Sequence, residues 1–196
     1  IPAGSIIVMG NDRTVSVDVS AGAERIMETL ESVHPIDDIS GEAGTNVGGM
    51  LEKVRLTMAQ LTNKSPQDVF IQDLLAVDVA VPINVKGGLA GEFSMEQAVG
   101  IASMVKSDHL QMEIIAKQVE KELGVPVEIG GEEAESAILG ALTTPGTAKP
   151  MAILDLGAGS TDASIINQEG KIKAIHLAGA GNMVTMLINS ELGLED

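Results

Sequence analysis

The chain has 196 residues, 44% of them apolar, and its only aromatic residues are two Phe. Its formal net charge of −16 disfavours a nucleic-acid partner, because free nucleic-acid binders are usually basic. We expect no membrane partner, because the sequence has neither an apolar run of about 18 residues nor a basic amphipathic helix. The absence of Cys excludes disulfides and thiol catalysis and favours a cytoplasmic location.

Residues 1–20 predict a β-hairpin. Residues 5–9 and 14–19 have strand patterns, and Val15, Val17 and Val19 alternate onto one face of the second strand. The chain starts without Met, so we expect these residues to belong to the preceding part of a longer polypeptide.

Residues 21–107 are expected to form a helix-rich linker module. Apolar residues at helical spacing predict one helix from about residue 23 and another that ends near Asn63. The run 74–85 predicts an extended segment, and glycines at 87, 88 and 91 predict a flexible connection. A capping-box pattern at 94–97 predicts the start of a further helix.

Residues 108–196 predict a mixed α/β lobe. A helix capped by Asp108 ends at Gly124, a short strand follows at 125–129, and a helix spans 132–142. Three strands and a last helix then complete the chain. A glycine turn, Gly179-Ala180-Gly181, precedes that helix.

The most informative segment is Asp155-Leu156-Gly157-Ala158-Gly159-Ser160-Thr161-Asp162, which joins two apolar runs. Glycines allow the backbone to approach a bulky anion and direct N–H groups at it, and the two hydroxyls add donors. Carboxylates at both ends suit a divalent cation or its water shell beside a phosphate. The segment therefore predicts a nucleoside-triphosphate site with Mg²⁺. It is neither a P-loop, since no Gly-Lys-Ser/Thr follows, nor a dinucleotide fingerprint, since a strand follows the glycines.

This segment resembles the second phosphate loop of the ATPase superfamily that includes actin, sugar kinases and heat-shock chaperones. Two further segments agree in order. Residues 131–137 resemble the connecting helix, which begins with Glu, and residues 176–181 resemble the His-Leu-Gly-Gly turn of the heat-shock ATPases. The resemblance implies that residues 108–196 are the start of the second actin-like ATPase lobe and contain its phosphate loop.

A closer resemblance covers essentially the whole chain. The segments 41–46, 71–78, 87–94 and 141–147 are similar to those of the large subunits of diol and glycerol dehydratase reactivating factors. That family uses ATP hydrolysis and subunit exchange to release damaged cobalamin from an adenosylcobalamin-dependent dehydratase. The resemblance implies ATP or ADP and Mg²⁺ as cofactors, and the small subunit and a diol or glycerol dehydratase as partners. The module 21–107 would transmit changes to those partners.

The resemblance also assigns roles to individual residues. Asp155 would hold the Mg²⁺ shell or orient the attacking water, and Glu133 would lie near the metal or water, with Glu132 and Glu135 as alternatives. The remaining residues would bind nucleotide: Gly157, Ala158, Gly159, Ser160, Thr161, Asp162, Gly179 and Gly181. For Asp162, acceptance of backbone N–H bonds that hold the loop is an alternative role.

The nucleotide site is expected to be incomplete, and two other functions remain open. The family's first phosphate loop and its adenosine-binding glycines are not in this sequence, so we expect an incomplete nucleotide site and no activity from the chain alone. A small-molecule kinase of the same superfamily and an actin-like structural protein are the alternative functions.

Overall fold

A computed structural model gives the fold and describes residues 1–84, 93–105 and 109–194. The elements in chain order are β1 (Ser5–Gly10), β2 (Thr14–Asp18), α1 (Ala23–Val33), β3 (Ile36–Gly41), α2 (Asn46–Thr62), β4 (Ile71–Asn84), β5 (Phe93–Val105), α3 (His109–Leu123), α4 (Glu133–Ala141), β6 (Met151–Leu156), β7 (Ser160–Ile166), β8 (Ile172–Ala178) and α5 (Gly181–Leu192). The predicted mixed α/β class is confirmed.

The strands within these ranges form three antiparallel sheets. The first has the order β2-β1-β3, the second is a two-stranded ribbon of β4 and β5, and the third has the order β6-β7-β8. Strands that are adjacent in the chain pair directly in the ribbon and in the third sheet, so both form from local connections.

The first sheet, α1, α2 and the start of β4 enclose one hydrophobic core. Its fully buried side chains include Ile6 of β1, Ile26 of α1, Ile39 of β3, Leu51 of α2 and Ile71 of β4. The predicted hairpin of residues 1–20 therefore shares a core with the start of the predicted module 21–107. The division of the chain at residues 20 and 107 remains a prediction.

A largely buried ion pair links three elements around this core. The guanidinium Nη2 of Arg55 in α2 lies 2.9 Å from Asp38 Oδ2 in β3, and both side chains are largely buried. Asp38 Oδ1 also accepts the amide of Ile71 at 2.8 Å, which is the first residue of β4. The pair thus fixes where β4 starts relative to β3 and α2.

The third sheet has α4 on one face. The hydroxyl of Ser164 in β7 donates to the carbonyl of Ala134 in α4 at 2.9 Å, and Ile138 of α4 is fully buried. The opposite face carries apolar side chains that are largely exposed, namely Leu154, Leu156, Ile165, Ile175 and Leu177.

Several predicted elements are confirmed and others are wrong. The predicted strands at 5–9 and 14–19, the helix that ends near Asn63 and the helix at 132–142 are present. The helix predicted from residue 94 is instead strand β5, and residues 125–129 form no strand in the described structure. The segment 21–107 contains β3, β4 and β5 as well as two helices, so "helix-rich" describes it incompletely. The predicted connection at 87–91 and the cap at Asp108 lie outside the described residues.

Candidate functional site

The predicted phosphate loop is a tight turn between β6 and β7. Leu156 and Thr161 form the last residue pair of the two strands, which leaves Gly157, Ala158, Gly159 and Ser160 at the turn. The turn is closed by the Gly157 amide, which donates to the Ser160 carbonyl at 3.0 Å. The three residues 157–159 are exposed, so this segment of backbone faces solvent.

Two amides of the loop are available to an anion. Within the described residues, the N–H groups of Ala158 and Gly159 donate to no protein acceptor. Successive exposed N–H groups in a glycine turn form a concavity that binds phosphate. Phosphate binding by these two amides remains a prediction.

The second glycine turn, Gly179–Gly181, donates backbone amides to the carbonyls of the loop. Gly179 donates to the Gly159 carbonyl at 2.9 Å, and Gly181 donates to the Gly157 carbonyl at 3.0 Å. The first turn of α5 adds the amide of Asn182, which donates to the Ala158 carbonyl at 2.8 Å. All three loop carbonyls are therefore bound, which fixes the direction of the intervening amides.

Thr161 contributes to the same contact. Its hydroxyl is buried and donates to the Gly179 carbonyl at 2.8 Å, so that group is committed to the protein. Nucleotide binding by Thr161, Gly179 and Gly181 remains a prediction. Their observed role is to join the two glycine turns.

The two carboxylates of the loop have different environments. Asp155 and Asp162 lie directly opposite each other in β6 and β7, and His176 of β8 continues the row. Asp162 is buried and accepts a hydrogen bond from the imidazole Nδ1 of His176 rather than from backbone N–H groups. Asp155 is exposed, so it is the loop carboxylate that can face a ligand.

Glu133 is the first residue of α4. The hydrogen bond between Ser164 and Ala134 places this end of α4 over the face of β7 that also carries Asp162. Glu132, Glu133 and Glu135 are all exposed in the same helical turn. Each of the three carboxylates remains an alternative for the predicted role near the nucleotide.

A metal ion at this site would depend on the nucleotide. Among the residues that the structure describes, no group of three or more His, Asp or Glu lies close enough to bind a metal. Mg²⁺ commonly keeps several waters and binds through one or two carboxylates plus phosphate oxygens. The exposed Asp155 beside the loop fits that donor set, with contact through water.

Sequence reasoning missed two contributors to the site. His176 has no role of its own in the sequence-based prediction beyond starting the segment 176–181, but it is the partner of the buried Asp162. Asp73 of β4 was given no role, but its Oδ2 accepts the Ala178 amide at 2.6 Å, immediately before the second glycine turn. The 105 positions between Asp73 and Ala178 left no local signal for this contact.

In the part of the chain covered by the structure, no helix combines the length and the apolar character needed to cross a membrane.

The fold and the glycine-rich loop define an ATPase-like domain, and comparison with known proteins gives its family. Residues 17–196 match the family model described as "Diol dehydratase reactivase ATPase-like domain", so the chain belongs to this family. The chain is 67% identical over 196 residues to the propanediol dehydratase-reactivating factor large subunit of Salmonella typhimurium. That match covers 100% of this chain and 32% of the relative.

Solved structures agree with the family. A diol dehydratase-reactivating factor in nucleotide-free form superposes with a TM-score of 0.84 at 66% identity. A glycerol dehydratase reactivase superposes with a TM-score of 0.83 at 58% identity. Each match covers 100% of this chain and 32% of the solved chain. The expected actin-like ATPase-type fold is confirmed.

Proposed function

We propose that this chain is the central part of the large subunit of a reactivating factor for an adenosylcobalamin-dependent diol or glycerol dehydratase. The family membership and the 67% identity to a large subunit support the assignment. Its relatives are about three times longer, since the chain covers 32% of their length. The small subunit and the dehydratase would bind the complete protein, which we place in the cytoplasm.

The loop at 157–159 would bind the phosphates of ATP. The observation that carries this proposal is that the amides of Ala158 and Gly159 have no protein acceptor among the described residues, while the three loop carbonyls are bound and fix the loop. Preorganised donors of this kind stabilise the charge of a transferring phosphoryl group without reorganising during the reaction.

Asp155 would orient the attacking water or hold the water shell of Mg²⁺, because it is the exposed loop carboxylate. Glu133, or its neighbour Glu132 or Glu135, would lie near the metal or the attacking water, at the start of α4. The Mg²⁺ ion would neutralise phosphate charge during hydrolysis. Asp162 would contribute to nucleotide binding by stabilising the loop, since its carboxylate is buried against His176.

Residues outside this chain would complete the nucleotide site. The site residues would form one side of a phosphate pocket, and the chain covers 32% of the length of its relatives. ATP bound between two lobes would favour the closed arrangement of the lobes, and hydrolysis would allow them to open again. That change would drive the release of damaged cobalamin from the inactivated dehydratase.

The test uses the full-length large subunit with its small subunit, ATP, Mg²⁺ and inactivated dehydratase. Cobalamin release is measured with diol dehydratase in one arm and glycerol dehydratase in the other. Asp155→Ala is expected to abolish release, whereas Glu169→Ala is expected to preserve it. Glu169 is a matched control, because it is an exposed acid at the opposite end of β7, in the turn that leads to β8.

Three results would contradict the proposal or part of it. Unchanged release by Asp155→Ala would refute the role of that residue. Rapid phosphoryl transfer that requires a small-molecule acceptor would favour a kinase, and pelleting of polymer on addition of ATP would favour a filament-forming protein.

A further inference from the structure

We propose that Asp73 is a positioning residue that sets the second glycine turn, and through it the phosphate loop, relative to the β4–β5 ribbon. The inference deepens the proposed ATP site and rests on it. Asp73 is far from the loop in sequence, and its carboxylate accepts the amides of Leu74 and Ala178, so it would act through the backbone that it holds.

The position of Asp73 in β4 is irregular. The pairing of β4 with β5 shifts register between Ile71 and Asp73, which indicates a β-bulge. A bulge redirects a side chain away from the regular alternation of the strand. Here the redirected carboxylate leaves its own sheet and reaches the end of β8.

Both oxygens of the Asp73 carboxylate are used. Oδ2 accepts the Ala178 amide at 2.6 Å, and Oδ1 accepts the Leu74 amide at 2.9 Å. The second bond fixes the carboxylate on its own backbone, and the first fixes β8 to the carboxylate. Hydrogen bonds to an ionised acceptor are shorter and stronger than those between neutral groups.

The contact continues directly to the phosphate loop. Ala178 precedes Gly179, whose amide donates to the Gly159 carbonyl and whose carbonyl accepts the Thr161 hydroxyl. A displacement of Ala178 would therefore move both partners of Gly179. The same turn continues to Gly181 and Asn182, which bind the Gly157 and Ala158 carbonyls and so fix the peptide planes that carry the Ala158 and Gly159 amides.

Close packing surrounds this hydrogen bond. Gly179 has φ of +90°, and a Cβ there would lie 2.4 Å from Leu75 Cδ2 of β4. Further along the ribbon, Ser190 of α5 donates to the Ala80 carbonyl, and Gly100 packs against the Met186 methyl group. The ribbon thus lies against both the glycine turn and α5, and Asp73 brings a charged group to that contact.

The same strand contains a matched control. Asp78 Oδ1 accepts the amide of Ala23 at 2.9 Å, at the start of α1 and away from the loop. Asp73→Asn and Asp78→Asn therefore replace the same residue type, on the same strand, in the same kind of bond. Asn has only one side-chain oxygen, so Asp73→Asn must lose one of its two bonds and faces an N–H group with its own NH₂.

The experiment uses the full-length large subunit with its small subunit. ATP affinity, KM and kcat are measured, together with hydrogen exchange of amides 178–181 and thermal unfolding. Asp73→Asn is expected to weaken ATP binding about tenfold, to raise KM similarly and to leave kcat within about twofold, as loss of one charge-assisted hydrogen bond predicts. Amides 178–181 should exchange faster. Asp78→Asn should leave ATP binding and these amides unchanged, even where it lowers the unfolding temperature as much.

The outcomes separate this inference from the proposed function. Normal ATP affinity and normal exchange at 178–181 in Asp73→Asn would overturn the positioning role and leave the ATP site standing. Equal loss of affinity in both variants would also overturn it, because the effect would then reflect general stability. Failure of the unsubstituted protein to bind ATP would overturn both.

Discussion

At the scale of single residues, the pair of Asp162 and His176 tests how a buried carboxylate is stabilised below the loop. The Asp162 side chain is 8% exposed, and the imidazole of His176 is its side-chain partner. Removal of a partner leaves a buried acceptor unsatisfied. We expect His176→Ala to lower the free energy of unfolding by about 2 kcal/mol.

A double-mutant cycle distinguishes this contact from general packing. Asp162→Asn combined with His176→Ala should cost less than the sum of the single substitutions, because the unsatisfied charge is then gone. Urea unfolding of the single and double variants measures the coupling. Additive effects would show that the two side chains do not depend on each other.

Residue types at the site were predictable, but their partners were not. The glycines, hydroxyls and acids of residues 155–162 predicted a turn that exposes backbone amides, and the structure has such a turn. By contrast, the partners of Asp162 and Asp73 are 14 and 105 positions away. Only the pairing of β7 with β8 and the packing of β4 on β8 bring them together, and no local pattern encodes either distance.

At the scale of elements, the ribbon and the second glycine turn fit together because residue 179 has no side chain. Gly179→Ala would face a positive φ and an overlap with Leu75. We expect it to cost about 3 kcal/mol of stability, from about 1 kcal/mol of backbone strain and the rest from overpacking. Gly44→Ala is the control, since Gly44 has φ of +80° but no atom within 4 Å of the added Cβ.

Thermal and urea unfolding of the two variants separate strain from overlap. Gly44→Ala should cost about 1 kcal/mol, which is the backbone term alone. Addition of Leu75→Ala to Gly179→Ala should restore part of the lost stability, because the overlapping Cδ2 atom is removed. Equal costs for the two glycine substitutions would exclude the overlap.

The elements that sequence reasoning missed show the limit of local signals. The capping-box pattern at 94–97 favours a helix, but residues 93–105 instead pair along their length with β4. A long partner strand satisfies the backbone of β5 and outweighs a cap preference of about 1 kcal/mol. The opposite error occurs at 125–129, where a strand-like run has no partner strand among the described elements.

At the scale of the whole molecule, the chain combines a well-enclosed core with an open one. The core around Ile6 and Ile71 buries side chains from the first sheet, α1, α2 and β4. The third sheet has α4 on one face and exposed apolar side chains, including Leu154 and Ile175, on the other. The phosphate loop connects β6 and β7 at one end of this less enclosed sheet. These observations support the proposal that residues outside this chain complete the nucleotide pocket around a firmly held loop.

This arrangement predicts how the isolated 196-residue chain responds to Mg²⁺-ATP. The loop offers the amides of Ala158 and Gly159 and one exposed carboxylate, Asp155, whereas the formal net charge of the chain is −16. An anionic ligand on an acidic chain needs compensating charge or an enclosing second lobe. We expect a dissociation constant of about 1 mM or weaker, that is, no more than about 4 kcal/mol of binding free energy.

Calorimetric titration of the isolated chain and of the full-length large subunit, at the same ionic strength, measures the difference. The full-length protein should bind in the micromolar range, at least about 4 kcal/mol more favourably than the chain alone, because the second lobe adds contacts and excludes water. The isolated chain must first be verified as folded by circular dichroism and thermal unfolding. Micromolar binding by the folded chain alone would show that residues 155–162 and their neighbours form a complete site, and the divided-site proposal would then be wrong.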